Sequence, residues 1–169
     1  MAPLDVLGTY IESMGVEVIL SYREKDEDRG GVFFYAGRGG RKGPAIEVVR
    51  PRSEQSKTTL DWAPTEAQQE EALFILAHEF GHCLSWRADG ARYEAFFAAY
   101  FKFKRIQQFG AQNGEALSVM EAELIDEEEA RAWALGREHV PEELRTSYDS
   151  HAEEKVSGYR QGLRGVCGG

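Results

Sequence analysis

The run Ile75-Leu76-Ala77-His78-Glu79-Phe80-Gly81-His82-Cys83-Leu84 holds His-Glu-x-x-His among flanking residues that are all uncharged. The surrounding pattern is helical, with Leu73, Ala77, Phe80 and Leu84 on one apolar stripe and the two histidines on a different face. Histidines four apart project from the same side of a helix, so both imidazoles can reach one metal ion. Glu79 follows the first histidine directly and can therefore lie beside a metal-bound water instead of on the metal. There it is placed to take a proton from the water and return one to a leaving amine. Gly81 is worth about 1 kcal/mol less than alanine in a helix interior, so its presence implies that something packs close to it. The chain has four histidines, and two of them fall at this spacing with a glutamate between. That concentration favours a metal site over a chance match.

Outward from this helix, Thr65 and Gln68 have the spacing of a capping box, with Pro64 just ahead, so the helix is expected to open there and run to about residue 86. Upstream, residues 3–14 read as a short helix with Leu4, Leu7, Ile11 and Met14 on one stripe, stopped by Gly15. Residues 16–22, 31–36 and 45–50 are apolar, rich in β-branched or aromatic types, and read as strands. A charged turn from Lys25, a Gly-rich loop over 37–44 and a polar loop over 52–62 separate them from each other and from the helix. Downstream, helices are expected over 91–109, over 115–138, and from near Pro141, which suits a first helical turn. The expected fold is α+β: a small N-terminal sheet packed on a helical domain that carries the His-Glu-x-x-His helix, all in one domain spanning 1–169.

A catalytic zinc usually takes three protein ligands. A third histidine at the longer His-x-x-Gly-x-x-His spacing is excluded, because Ser85 and Ala88 occupy those places. The alternative is a carboxylate from Glu127-Glu128-Glu129 in the helix over 115–138. Leu124, Ile125, Ala132, Trp133 and Leu135 set the apolar face of that helix, and Glu127 points nearly opposite to it. Glu128 and Glu129 both point inward, where a carboxylate is costly unless paired or metal-bound. Periodicity leaves both open as the third ligand.

At this point the sequence resembles the ImmA/IrrE family of zinc metallopeptidases, a branch of the gluzincin-like proteases. The likeness covers the layout over residues 3–140. Glu129-Ala130-Arg131-Ala132-Trp133-Ala134-Leu135-Gly136 is similar to that family's Glu-x-x-Ala-Asn-x-Phe-Ala helix, which favours Glu129 over Glu128. Trp133 stands where the family has Asn, and the family's Leu-Leu-Met-Pro ending is absent, with only Val140-Pro141 near it. The resemblance implies a zincin-like fold, one zinc ion per chain held by His78, His82 and Glu129, and hydrolysis of a peptide bond in a protein or peptide substrate, including a regulatory protein. The departures keep a second expectation in view: a non-catalytic interaction module that retains the fold and closes the site with a fourth ligand.

The formal charge of −9 works against binding to nucleic acid or anionic lipid. No apolar run is long enough for a membrane helix and no leader is evident. With Cys83 and Cys167 read as free thiols, the expectation is a cytoplasmic protein. Residues 45–50 read equally as a substrate-binding edge strand or an ordinary strand, and Glu47, Arg38, Arg41, Lys42, Arg50 and Arg52 as solvated loop charges or a bias on substrate charge. Tyr93, Phe96, Phe97, Tyr100 and Phe101 follow helical spacing and read as core. Tyr148, His139 and His151 each read as structural, with Tyr148 and His151 kept as weak candidates for stabilising an oxyanion.

Overall fold

The computed structural model describes residues 2–24, 30–36, 42–54, 65–111 and 115–167. The expected charged turn from Lys25, the loop positions Arg38 and Arg41, Pro64 and most of the polar loop up to Trp62 lie outside the described residues. The architecture is α+β. Helix α1 (Pro3–Ser13) precedes strands β1 (Glu17–Arg23), β2 (Gly30–Phe34) and β3 (Ala45–Pro51). Four longer helices follow: α2 (Glu66–Ala88), α3 (Gly90–Phe109), α4 (Val119–Arg137) and α5 (Arg145–Val166). Among the described residues, no helix is long and apolar enough to cross a membrane.

The strands form a mixed sheet in the order β1-β3-β2. β1 runs parallel to β3 with Glu17 opposite Ala45, and β2 runs antiparallel to it with Phe33 opposite Ile46. The reading of residues 45–50 as an edge strand is thereby corrected. β3 is central and buried along nearly its whole length, as expected of a strand paired on both sides; β2 is the edge strand that faces α2. Arg50 and Glu47 are not substrate-facing loop charges. Arg50 is buried and pairs with Glu71 of α2 at 3.0 Å. Glu47 is buried and accepts a hydrogen bond from the Ser21 hydroxyl. Arg52 pairs with Glu24 in solvent at 2.6 Å.

The capping box at Thr65 and Gln68 is present and opens α2 as the sequence indicated. The helix is not two-sided, however. Every residue from Ala72 to Cys83 is buried, so α2 is the central helix of the molecule, apolar nearly all round and covered on all sides. α4 starts later than expected, because Ser118 and Glu121 form their own capping box. Pro141 opens a 3-10 turn, Glu142–Leu144, and α5 begins only at Arg145.

The contact that fixes the helical layer lies between α2 and α4. A Cβ added to Gly81 would sit 1.9 Å from the Ala132 carbonyl oxygen, and one added to Gly136 would sit 2.3 Å from the Ala77 carbonyl oxygen. The two helices thus run antiparallel with their backbones touching at two points one turn apart. This is the close approach that Gly81 implied. The Tyr148 hydroxyl, from α5, donates to the Trp133 carbonyl oxygen at 3.0 Å and packs against the same Gly136.

Gly81→Ala and Gly136→Ala should each destabilise the protein by about 3 kcal/mol, at the upper end of what overpacking costs. Gly158→Ala, whose Cβ would meet nothing within 4 Å on α5, should raise stability by up to about 1 kcal/mol. Urea denaturation of the three variants beside the wild type measures this, and a neutral Gly81→Ala would contradict the tight crossing.

Candidate metal centre

The α2–α4 crossing sets the triplet Glu127-Glu128-Glu129 opposite the two histidines. Glu127 points away: its side chain is 70% exposed and pairs with Arg92 at the surface. Glu129 is buried and faces both imidazoles. Its two carboxylate oxygens lie 3.4 Å from His78 Nε2 and 3.7 Å from His82 Nε2. One ligand atom from each of His78, His82 and Glu129 falls within 4.8 Å of the other two. Tetrahedral ligands at about 2.1 Å from a zinc ion stand about 3.4 Å apart, so the imidazole–carboxylate spacings are already near those of a filled site. Glu129 Oε2 is buried with no hydrogen-bond partner among the described residues. A buried carboxylate oxygen without a donor is costly, and a cation between it and the imidazoles removes that cost. These three residues fit a metal ion.

Glu128 has a different place from the one left open for it. It accepts hydrogen bonds from His82 Nδ1 at 3.3 Å, from the Ser85 hydroxyl at 2.9 Å and from Arg92. A carboxylate on Nδ1 fixes the tautomer in which Nε2 carries the free lone pair, and turns that nitrogen toward Glu129. Glu128 is therefore placed to orient His82, while Glu129 is the carboxylate that joins the two histidines in the cluster able to hold a metal ion. Periodicity showed only that it pointed inward. His78 is held by shape: its ring stacks on Trp133, centroids 4.1 Å apart, while His82 stacks on Phe96 at 5.3 Å.

Electrostatics separate the carboxylates. Burial raises Glu128, but the hydrogen bonds from His82, Ser85 and Arg92 outweigh it and leave its carboxyl below the ordinary range. Burial pushes Glu129 up, with the charges of His82 and Lys104 opposing. Glu79 is pushed well above the usual carboxylate range by burial and by the neighbouring Glu129, against a hydrogen bond from the Phe33 backbone. Burial lowers His82 and takes His78 down to about 3, the nearby His151 adding to the effect on His78. Both imidazoles are thus neutral at neutral pH, the form that binds metal.

Glu79 Oε1 lies 3.9 Å from His78 Nε2. It stands where a recess of about 30 Å³, lined by His78, His82, Glu129, Tyr93 and Gly31, adjoins a larger cleft of about 340 Å³ that also touches His78 and Glu79. Gly31 is needed there, since a Cβ would come within 2.5 Å of Glu79 Cγ. The aromatic stripe of α3 is only partly core. Tyr93 and Phe96 are buried, but Tyr93, Phe96, Phe97 and Tyr100 also line the recess, and Phe101 is 49% exposed. Tyr159 of α5 lines both spaces; no spacing in the sequence connects it with the histidines.

Of the residues considered for the oxyanion, Tyr148 is occupied with the Trp133 carbonyl, and His139 stacks on Tyr10 and meets Phe80 edge-on, among residues that line neither space. His151 lines the cleft. Both cysteines are free, and burial pushes the Cys83 thiol up to about 11. Family models, curated proteins and solved structures were all compared with the chain, and none matches it.

Glu129→Ala should abolish stoichiometric zinc binding, whereas Glu128→Ala should weaken it by about 10–100-fold, the usual range for an orienting partner. Competition with a chromophoric chelator distinguishes them; equal losses in the two variants would contradict the assignment. A second consequence concerns pH. His78 is neutral when folded down to about 3 but titrates near its ordinary value of about 6.5 when unfolded. Its stabilising contribution is present above the unfolded value and is lost as pH falls toward the folded one. In metal-free protein, the wild type should lose up to about 1.4 kcal/mol per pH unit relative to His78→Gln between pH 6 and 4. Parallel stability-versus-pH curves for the two proteins would rule this out.

Proposed function

We propose that the chain is a zinc-dependent metallopeptidase with a zincin-like fold, of the kind its resemblance to the ImmA/IrrE family implies, acting as an endopeptidase on a protein or peptide substrate. The observation that carries this reading is the position of Glu79. Its carboxylate borders the His78, His82 and Glu129 cluster without belonging to it, and it lies where the recess meets the cleft. A zinc ion held by the three residues would supply a Lewis acid that lowers the pKa of water and polarises a carbonyl.

The protein's own groups divide the remaining tasks. Glu79 accepts the proton of the attacking water and passes it to the leaving amine. Its raised pKa brings its affinity for that proton toward neutral pH, where such exchange is efficient. The Phe33 backbone hydrogen bond fixes the carboxylate, and Gly31 lets β2 pass directly beside it. β2 is paired only with β3 among the described strands, so an extended peptide could add as a strand along the part of its outer edge that Glu79 does not engage. Such a peptide would pass Glu79 with its carbonyls directed across the strand axis, alternately toward β2 and away from it. Tyr93, Tyr100 and Phe96 cover the recess and limit the entry of bulk water.

Zinc-loaded wild type should cut casein or a proteome-derived peptide mixture, with new termini read by mass spectrometry. Glu79→Gln should keep its zinc and lose at least 10³-fold in rate, in line with loss of a general base. Cleavage at the wild-type rate by Glu79→Gln would end this mechanism. Zinc retained with no cleavage by the wild type would favour the interaction module.

A further inference from the structure

The cleft that opens onto His78 and Glu79 has one wall of unusual charge for a chain of net charge −9. On α3, Tyr100 and Lys104 stand four residues apart; on α5, Lys155 and Tyr159 do the same. All four line the cleft. The two tyrosine hydroxyls lie 3.3 Å apart and join the helices. The Lys104 ammonium rests 5.4 Å from the Tyr100 ring centre, 5.1 Å from that of Tyr159 and 5.7 Å from that of Phe103. Three rings hold this cation in place. Neither Lys104 nor Lys155 has a carboxylate at ion-pair distance among the described residues. Glu71, the acidic residue that lines the cleft beside Glu79, is occupied by Arg50 at 3.0 Å. Lys104 and Glu129 also feel each other's charge.

We propose that this wall is an anion subsite: Lys104 and Lys155 receive a carboxylate of the substrate, with the Tyr100 and Tyr159 hydroxyls beside them, while the scissile bond lies at Glu79. The inference rests on the metallopeptidase reading and adds a substrate class to it, peptides with a carboxylate close to the cleaved bond. Two features make the wall selective. Neither lysine is neutralised by an ion pair among the described residues, and Lys104 is fixed before the ligand arrives, so little side-chain freedom is lost on binding. The carboxylate can come from an acidic side chain or from the end of the peptide, since both present the same group.

The test uses zinc-loaded protein and hydroxamate-headed peptides two and three residues long, the hydroxamate being a zinc chelator. Each is made in three forms: an amidated peptide with glutamine, an amidated peptide with glutamate, and a peptide with glutamine and a free C-terminal carboxylate. Dissociation constants come from calorimetry. One of the carboxylate-bearing forms should bind at least tenfold tighter than its uncharged counterpart, and which one does so identifies the source of the group. The preference should shrink below threefold in Lys104→Ala/Lys155→Ala and survive in Lys104→Arg/Lys155→Arg. All forms binding within twofold of one another, or a preference that persists in the double alanine variant, would overturn the subsite and leave the metallopeptidase reading standing. Failure of every hydroxamate to bind would remove the metal site and the subsite together.

Discussion

The backbone contact between α2 and α4 is the constraint on which the rest of the molecule depends. Ala77 and Gly81 on one helix meet Gly136 and Ala132 on the other with no room for a further carbon atom. The antiparallel crossing brings Glu129 opposite the Nε2 atoms of His78 and His82, and Glu128 opposite Nδ1 of His82 and the Ser85 hydroxyl. A shift of one turn along either helix is about 5.4 Å, longer than the whole spread of the three ligand atoms. Glycine weakens a helix by about 1 kcal/mol relative to alanine. At Gly81 and Gly136 that cost is offset by the packing it permits, because without the crossing the acidic and imidazole groups would lie in separate parts of the core.

The crossing has a second consequence. It concentrates Glu79, Glu128, Glu129, His78 and His82 in a region otherwise filled by Leu73, Leu76, Phe80, Ile125 and Trp133. Unpaired ionised groups are expensive in such surroundings. The molecule manages this unevenly. Arg92, Ser85 and His82 satisfy Glu128, whereas Glu129 Oε2 and His78 Nδ1 are left buried without partners among the described residues. The raised pKa values of Glu79 and Glu129 and the lowered values of both histidines express the same burden. A divalent ion held there would relieve most of it at once, and its binding would then be thermodynamically linked to folding.

What could be read in the sequence was local, and what could not was set by distant contacts. The His-Glu-x-x-His spacing, the capping box at Thr65 and the inward direction of Glu128 and Glu129 follow from helical periodicity, and the structure has all three. The choice between the two glutamates does not follow from it, because 3.6 residues per turn places neighbours only about 100° apart on the helix. Which one meets Nε2 depends on where α4 crosses α2. Gly81 signalled that crossing, and Gly136, one turn from Ala132, was its silent partner. Strand order was likewise illegible. Residues 45–50 are apolar because β3 is covered on both sides, and an apolar run alone does not say which neighbour lies at an edge. The late start of α4 was legible in Ser118 and Glu121, the same spacing recognised at Thr65 and Gln68. The contribution of α5 to the cleft was not, because Tyr159 meets Tyr100 across 59 residues.

Glu128 and Glu129 show how neighbouring residues of one type come to do different things. They share a helix, a turn and a buried setting, yet one carboxyl is held below its ordinary pKa and the other above it. The difference lies in the donors each meets. Glu128 has three hydrogen-bonding partners and is ionised as part of a fixed network; Glu129 has imidazoles at 3.4 and 3.7 Å and one oxygen with no donor among the described residues. An ionised, saturated carboxylate has little left to offer a cation, and an unsaturated one has a lone pair to give. The same argument separates Glu79 from both. Its contact with the Phe33 backbone ties it to the sheet, and its place at the cleft leaves it free to exchange a proton. Three glutamates within one core thus have three different settings, set by the donors each meets, and that geometry traces back to Gly81, Gly136 and Gly31.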